Sequence, residues 1–197
     1  MKKLVFATNN DHKLNEVRAM IPNFQILGLK DLNCYEDIAE TADTFHGNAA
    51  LKADYITLKY GLDCFSDDSG LEVDALNGEP GVYSARYAGE SVNHDKNIQK
   101  VLSNLQNNFN RKARFITVIA LNYKGEKYFF EGTVEGEILN EKKGNGGFGY
   151  DPIFMPNGYQ VTFAEMTQAD KSKISHRGKA VEKLVKFLLE KDSFETA

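Results

Sequence analysis

Four segments of this chain concentrate side chains that can do chemistry. The first is Thr8-Asn9-Asn10-Asp11-His12-Lys13, small polar residues between an apolar run and a helical pattern. Free amides at a helix start attract anions, and the helix dipole adds to the pull. Lys13 in the first turn reaches a phosphate held there. The segment lacks G-x-x-x-x-G-K-[ST], so it is no P-loop, and a capped helix with a solvated lysine explains it equally. The second is Ser66-Asp67-Asp68-Ser69-Gly70. Adjacent residues of an extended segment point opposite ways, so one carboxylate enters a cleft while the other braces the backbone. One carboxylate with phosphate oxygens is a usual magnesium arrangement, because that ion keeps several waters. A simple Asx-type turn is the alternative.

The third segment is Gly146-Gly147-Phe148-Gly149-Tyr150-Asp151-Pro152. Glycines around two aromatics suit a loop that lays a ring against a flat ligand, and stacking a base there is worth about 1–3 kcal/mol. A tight turn with Phe148 and Tyr150 in the core also fits. The fourth is Lys171-Ser172-Lys173-Ile174-Ser175-His176-Arg177. Cations at a helix start oppose its dipole, which points to a bound anion, with a solvated basic turn as the alternative. Other chemistries find no footing. The chain has no G-x-S-x-G elbow, no H-E-x-x-H and no G-x-G-x-x-G after a strand, and its four histidines have no zinc spacing.

The elements that must position these groups follow from periodicity. Leu4–Thr8 is short and apolar and predicts a buried strand. Leu14, Val17 and Ile21 predict a helix that Pro22 stops. A second helix is predicted from Asp43 or Thr44, with Phe45, Ala49, Ala53, Ile56 and Tyr60 on one face and Gly61 at its end. Cys64–Ser66 and Leu71–Val73 read as two short strands around an acidic turn. Asn77–Gly89 reads as loop, and Ile98, Val101, Leu102 and Leu105 mark a third helix. Phe115–Tyr123 and Lys127–Ile138 predict long strands joined at Lys124-Gly125. A last helix carries Val181, Leu184, Val185, Leu188 and Leu189, with Ser175 as its cap.

The 197 residues fit one α/β domain without a linker, and 42% hydrophobic with 26% charged residues is ordinary for a soluble fold. A formal net charge of −4 argues against a non-specific nucleic-acid binder. The two cysteines, Cys34 and Cys64, form no framework, and no stretch suits a signal peptide or a membrane span. The expected setting is cytoplasmic.

Together the segments resemble the inosine/xanthosine triphosphate pyrophosphatase family over nearly the whole chain. The resemblance rests on Thr8-Asn9-Asn10 with Lys13 and Glu16, Asp67-Asp68-Ser69-Gly70-Leu71, the run Pro80–Gly89, Gly147–Pro152 and Ser175-His176-Arg177-Gly178, all in order. It implies an elongated mixed β-sheet flooring a cleft between two lobes. It implies a homodimer and a magnesium-dependent cut between the α and β phosphates of non-standard purine nucleotides such as ITP, dITP and XTP. Asp68 is then the catalytic carboxylate, with Asp68 and Glu40 toward the metal. Thr8, Asn9, Asn10, Asp11, His12, Lys13, Ser69, Phe148, Gly149, Tyr150, Asp151, Lys171, His176 and Arg177 hold substrate. From the residue chemistry, Lys13 and Lys171 suit the triphosphate, with Lys52 behind them, and His176 and Arg177 suit the base edge. Two positions depart from the family pattern, Gly47 where a glutamate is common and Ala42 where a glycine is. The competing readings are a pyrophosphatase or phosphatase with another base preference and a nucleotide-sensing module without turnover.

Overall fold

The computed structural model describes residues 2–193. Its six strands are β1 (Lys2–Phe6), β2 (Phe24–Leu27), β3 (Cys64–Val73), β4 (Lys112–Tyr123), β5 (Glu126–Ile138) and β6 (Phe154–Pro156). The helices are α1 (Asp11–Met20), α2 (Phe45–Tyr60), α3 (His94–Asn104), α4 (Gln168–Ile174) and α5 (His176–Ser193). The sheet runs in the order β2-β1-β3-β4-β5-β6. β1 is parallel to both β2 and β3, and β5 is antiparallel to β6, so the sheet is mixed.

Local chemistry sets the boundaries. Asn10 is extended and its Oδ1 accepts from the backbone N–H of His12 and Lys13, which starts α1. Of the two candidate caps for α2 the structure selects Thr44, whose hydroxyl accepts from Gly47 N–H. Gly61 ends that helix in the left-handed region. Lys124 and Gly125 both have positive φ, the geometry of a tight two-residue hairpin turn.

Two expectations are corrected. The acidic dipeptide is no turn, because β3 is continuous from Cys64 to Val73. Its position between β1 and β4 buries both of its faces, and buried carboxylates are rare enough inside strands to read as a break. The basic segment is not one helix start. Lys171 and Lys173 lie in the last turn of α4, a helix of seven residues and too short for a periodic signal. Cations in a last turn are favoured by the dipole. Ser175 alone separates α4 from α5, which opens at His176.

The chain resolves into two compact units. Among the described residues, the first contains residues 2–68, Thr117–Gly132 and residues 178–193; the second contains Ser69–Ile116 and Thr133–Arg177. In the first unit, α1 and α5 pack on the sheet through Leu14, Val17, Val181, Leu184 and Leu188 against Phe6, Phe65 and Ile119. The rings of Phe6 and Phe65 stack at 4.6 Å. In the second unit, α3 packs on the sheet through Ile98 and Val101 with Phe115, Phe154 and Phe163.

Candidate functional site

Alternation along β3 sorts the acidic pair. Phe65 and Asp67 share one face of the strand, and Ser66 and Asp68 share the other. Asp67 accordingly meets α1, where Lys13 Nζ lies 3.0 Å from its Oδ1. Ser66 meets α2 and donates to the Ala49 carbonyl at 2.5 Å. Asp68 also meets α2, and Asn48 Nδ2 donates to its Oδ2 at 3.0 Å. Asn48 in turn accepts from Ala42 N–H through Oδ1, so one buried amide ties Asp68 to the segment before α2. Lys52, one turn further along α2, donates to Glu40 Oε1 at 2.5 Å and to the Asp67 carbonyl at 2.6 Å.

The electrostatics follow from burial. Asp68 is pushed up to about 6, first by burial and further by Glu40, while Lys52, Lys13 and the Asn48 bond act the other way. Burial works against the charge on Lys52, but Glu40, Asp67 and Asp68 outweigh it and raise its pKa. The first unit thus holds one carboxylate poised near neutrality, a second paired with Lys13, and a third paired with Lys52. Among the described residues no three acidic, histidine or cysteine side chains form a ready metal cage. Lys52 shows that the acidic cluster accommodates a cation between Glu40 and β3.

In the second unit the glycine-rich loop closes around Asp151. Its Oδ2 accepts from Phe148 N–H at 2.9 Å and from Lys171 Nζ at 2.7 Å. A Cβ on Gly147 would sit 2.1 Å from that oxygen, and Gly147 has φ of +69°, so only glycine lets the loop wrap the carboxylate. Phe148 is left half-buried with Lys171 Nζ 5.0 Å and Arg177 Cζ 5.6 Å from its ring centre. Arg177 Nη2 also donates to Ser69 Oγ at 3.3 Å. The His176 ring stacks on Phe115 at 4.7 Å. Tyr150 is buried and its hydroxyl donates to the Ser84 carbonyl, and burial pushes that hydroxyl up.

Comparison with known proteins identifies the family of the chain. Residues 4–187 match the model of the Ham1 family. The chain belongs to the Ham1 family. A dITP/XTP pyrophosphatase of Flavobacterium johnsoniae is 59% identical over 187 residues, covering 94% of this chain and 97% of that protein. One named likewise in Christiangramia forsetii is 56% identical, covering 94% and 98%. The structure of the Staphylococcus aureus Ham1 protein superposes with a TM-score of 0.89 at 42% identity, covering 96% of this chain and all of that one.

In this Ham1-family chain the sequence-derived residues fall into two groups, one per unit. Asp68, Lys13, Asn10 and Thr8 lie close around β1, β3 and α1, and Thr8 Oγ1 accepts from Asn10 N–H. Asp11 and His12 are exposed, and Asp11 is turned to Lys30 at 2.8 Å. Asn9 is exposed as well. Glu40 joins the acidic cluster through Lys52. Ser69, Phe148, Asp151, Lys171 and Arg177 form the second group, Gly149 turns the loop at φ +62°, and Tyr150 belongs to the core beneath it. Lys171, expected at the triphosphate, has its ammonium on Asp151. Asn48 escaped sequence reasoning. Its signal is an amide on the apolar face of α2, three residues after Phe45 and one before Ala49.

Proposed function

We propose that this chain hydrolyses non-standard purine nucleoside triphosphates, such as ITP, dITP and XTP, to the monophosphate and pyrophosphate. The single observation that carries the reading is the buried pair on β3, with Asp67 on a lysine and Asp68 raised to about 6 beside two ammonium groups. A carboxylate near neutrality takes a proton from water efficiently, so Asp68 orients and deprotonates the nucleophile. Lys13 holds phosphate oxygens and Lys52 stands ready behind it, whereas the Thr8, Asn10, His12 and Lys13 amides expected to help are already bonded within the chain. Asp68, with Glu40, would hold magnesium, which supplies charge neutralisation at the phosphoryl oxygens when bound. Phe148 stacks on the base, and Arg177 with His176 presents donors to its keto edge. Adenine offers an amino group there, and the donors left unpaired cost about 1–3 kcal/mol each.

The working form is a homodimer in the cytoplasm; among the described residues no helix is long and apolar enough to cross a membrane. Product analysis of ITP turnover with and without magnesium tests the reading. Pyrophosphate released only with the metal is expected. Orthophosphate would indicate a phosphatase instead, and binding without turnover would indicate a sensing module.

A further inference from the structure

The aromatic platform of the second unit is bordered by cations. Phe148 has an ammonium and a guanidinium near its ring, Lys171 at 5.0 Å and Arg177 at 5.6 Å. Both side chains are at least nine-tenths buried, so solvent screens them little. Arg177 lies in the first turn of the eighteen-residue α5, where the helix dipole is positive. The other charged groups on the surrounding elements are accounted for. Asp151 of the loop bonds Lys171, and Asp170 and Lys173 on the outer side of α4 lie 3.4 Å apart in solvent. Glu165 caps its own turn at Thr162 N–H, and on β3 Glu72 pairs with Arg114. His176 stacks on Phe115.

The purines differ in what such a setting does to them. Hypoxanthine holds its ring N–H proton firmly. Xanthine has a second carbonyl at C2 and releases a ring proton to solvent much more readily. The charge left behind spreads over ring nitrogens and keto oxygens. We propose that this protein takes the base of XTP as the ring anion, selected chiefly by Arg177, beside Lys171, at Phe148. The proposal rests on the purine reading above and assigns XTP and ITP different charge states in one subsite. Lys171 is largely offset by the Asp151 carboxylate bonded to it, so the net positive charge is that of Arg177, and one buried cation at about this range favours the anion about tenfold.

The test reads the base directly, because the xanthine anion and the neutral ring have distinct ultraviolet spectra. The full-length protein is titrated with xanthosine 5′-monophosphate, and with inosine 5′-monophosphate in parallel, across the acid-to-neutral range. Bound xanthine is expected to ionise about one pH unit or more below free xanthine. Its affinity relative to the inosine nucleotide should rise about tenfold per pH unit below that of free xanthine and then level. Protein groups whose protonation does not depend on the charge of the base are common to both nucleotides and cancel in this ratio. Arg177→Gln should move the bound ionisation back toward the free value. Lys171→Met combined with Asp151→Asn removes a neutral pair and should move the ionisation less than Arg177→Gln does. Bound xanthine that ionises at or above the free value overturns the proposal while the hydrolase reading stands. Failure of ITP to turn over, scored separately by pyrophosphate release, overturns that reading instead.

Discussion

Asp68 carries opposite consequences for stability and for chemistry. Its folded value of about 6 lies above the ordinary 3.8. Between these values the folded protein keeps a proton that the unfolded chain has released, so stability falls as pH rises from about 4 to 6. Asp68→Asn removes that cost. In chelator, thermal or urea unfolding should show the variant more stable than the parent by up to about 3 kcal/mol at pH 8, with the gap closing below pH 4. The same variant should lose nearly all turnover. Equal stability at every pH would show that burial does not strain Asp68, and turnover within a few-fold of the parent would remove it from the chemistry.

Lys13 behaves differently, because its partner Asp67 is almost wholly buried. Lys13→Ala should raise KM for ITP with unchanged base preference, and it should also cost about 3–5 kcal/mol by stranding a carboxylate. Adding Asp67→Asn should restore most of the stability and none of the KM. If the double variant is no more stable than the single, the pair is not the source of the loss. At this scale the segments that carry Asp68, Lys13, Phe148 and Arg177 were legible as candidates, since each is a short motif with a chemical reason. Asn48 and the Lys52–Glu40 bridge were not, because nothing local announces that an amide and an ammonium on α2 reach β3 and Glu40 across the fold.

Among the elements, β3 and the glycine loop do the positioning. The sequence places the hairpin at Lys124-Gly125 and the ends of α2 correctly, because turns and caps are written in local residue types. It breaks β3 in two, because the pattern that buries a strand on both faces has no alternation to follow, and its acids look like solvent. The loop yields a paired prediction. Gly147 and Gly149 both have positive φ, but a methyl at 147 would meet Asp151 while one at 149 meets nothing within 4 Å. Gly149→Ala should therefore cost about 1 kcal/mol. Gly147→Ala should cost roughly 2–4 kcal/mol and raise KM for ITP, since Phe148 is hung from the same carboxylate. Equal losses in denaturant titrations of the two variants would mean that the carboxylate contact does not shape the loop.

At the scale of the whole molecule, each unit has its own apolar cluster built around phenylalanine. Phe65 in the first and Phe154 in the second are both fully buried. Replacing either by alanine should cost about 3–5 kcal/mol, read as a lower midpoint of chemical denaturation. A loss under about 1 kcal/mol at either site would show that the ring does not hold its unit. The α/β class was legible from the order of periodic segments. Where the units divide was not, because the boundaries fall inside β3, β4 and β5 and after Arg177 rather than in loops.

That division bears on how such a protein can change. The chain passes from one unit to the other four times, after Asp68, Ile116, Gly132 and Arg177. Neither unit is a continuous stretch of sequence, so no single exchange of gene segments could transplant one unit while leaving the other intact. On the proposed reading, new base preferences arise by point substitution around Phe148, Lys171 and Arg177. Recombination, which reshuffles whole modules in other enzymes, has no seam here along which to cut.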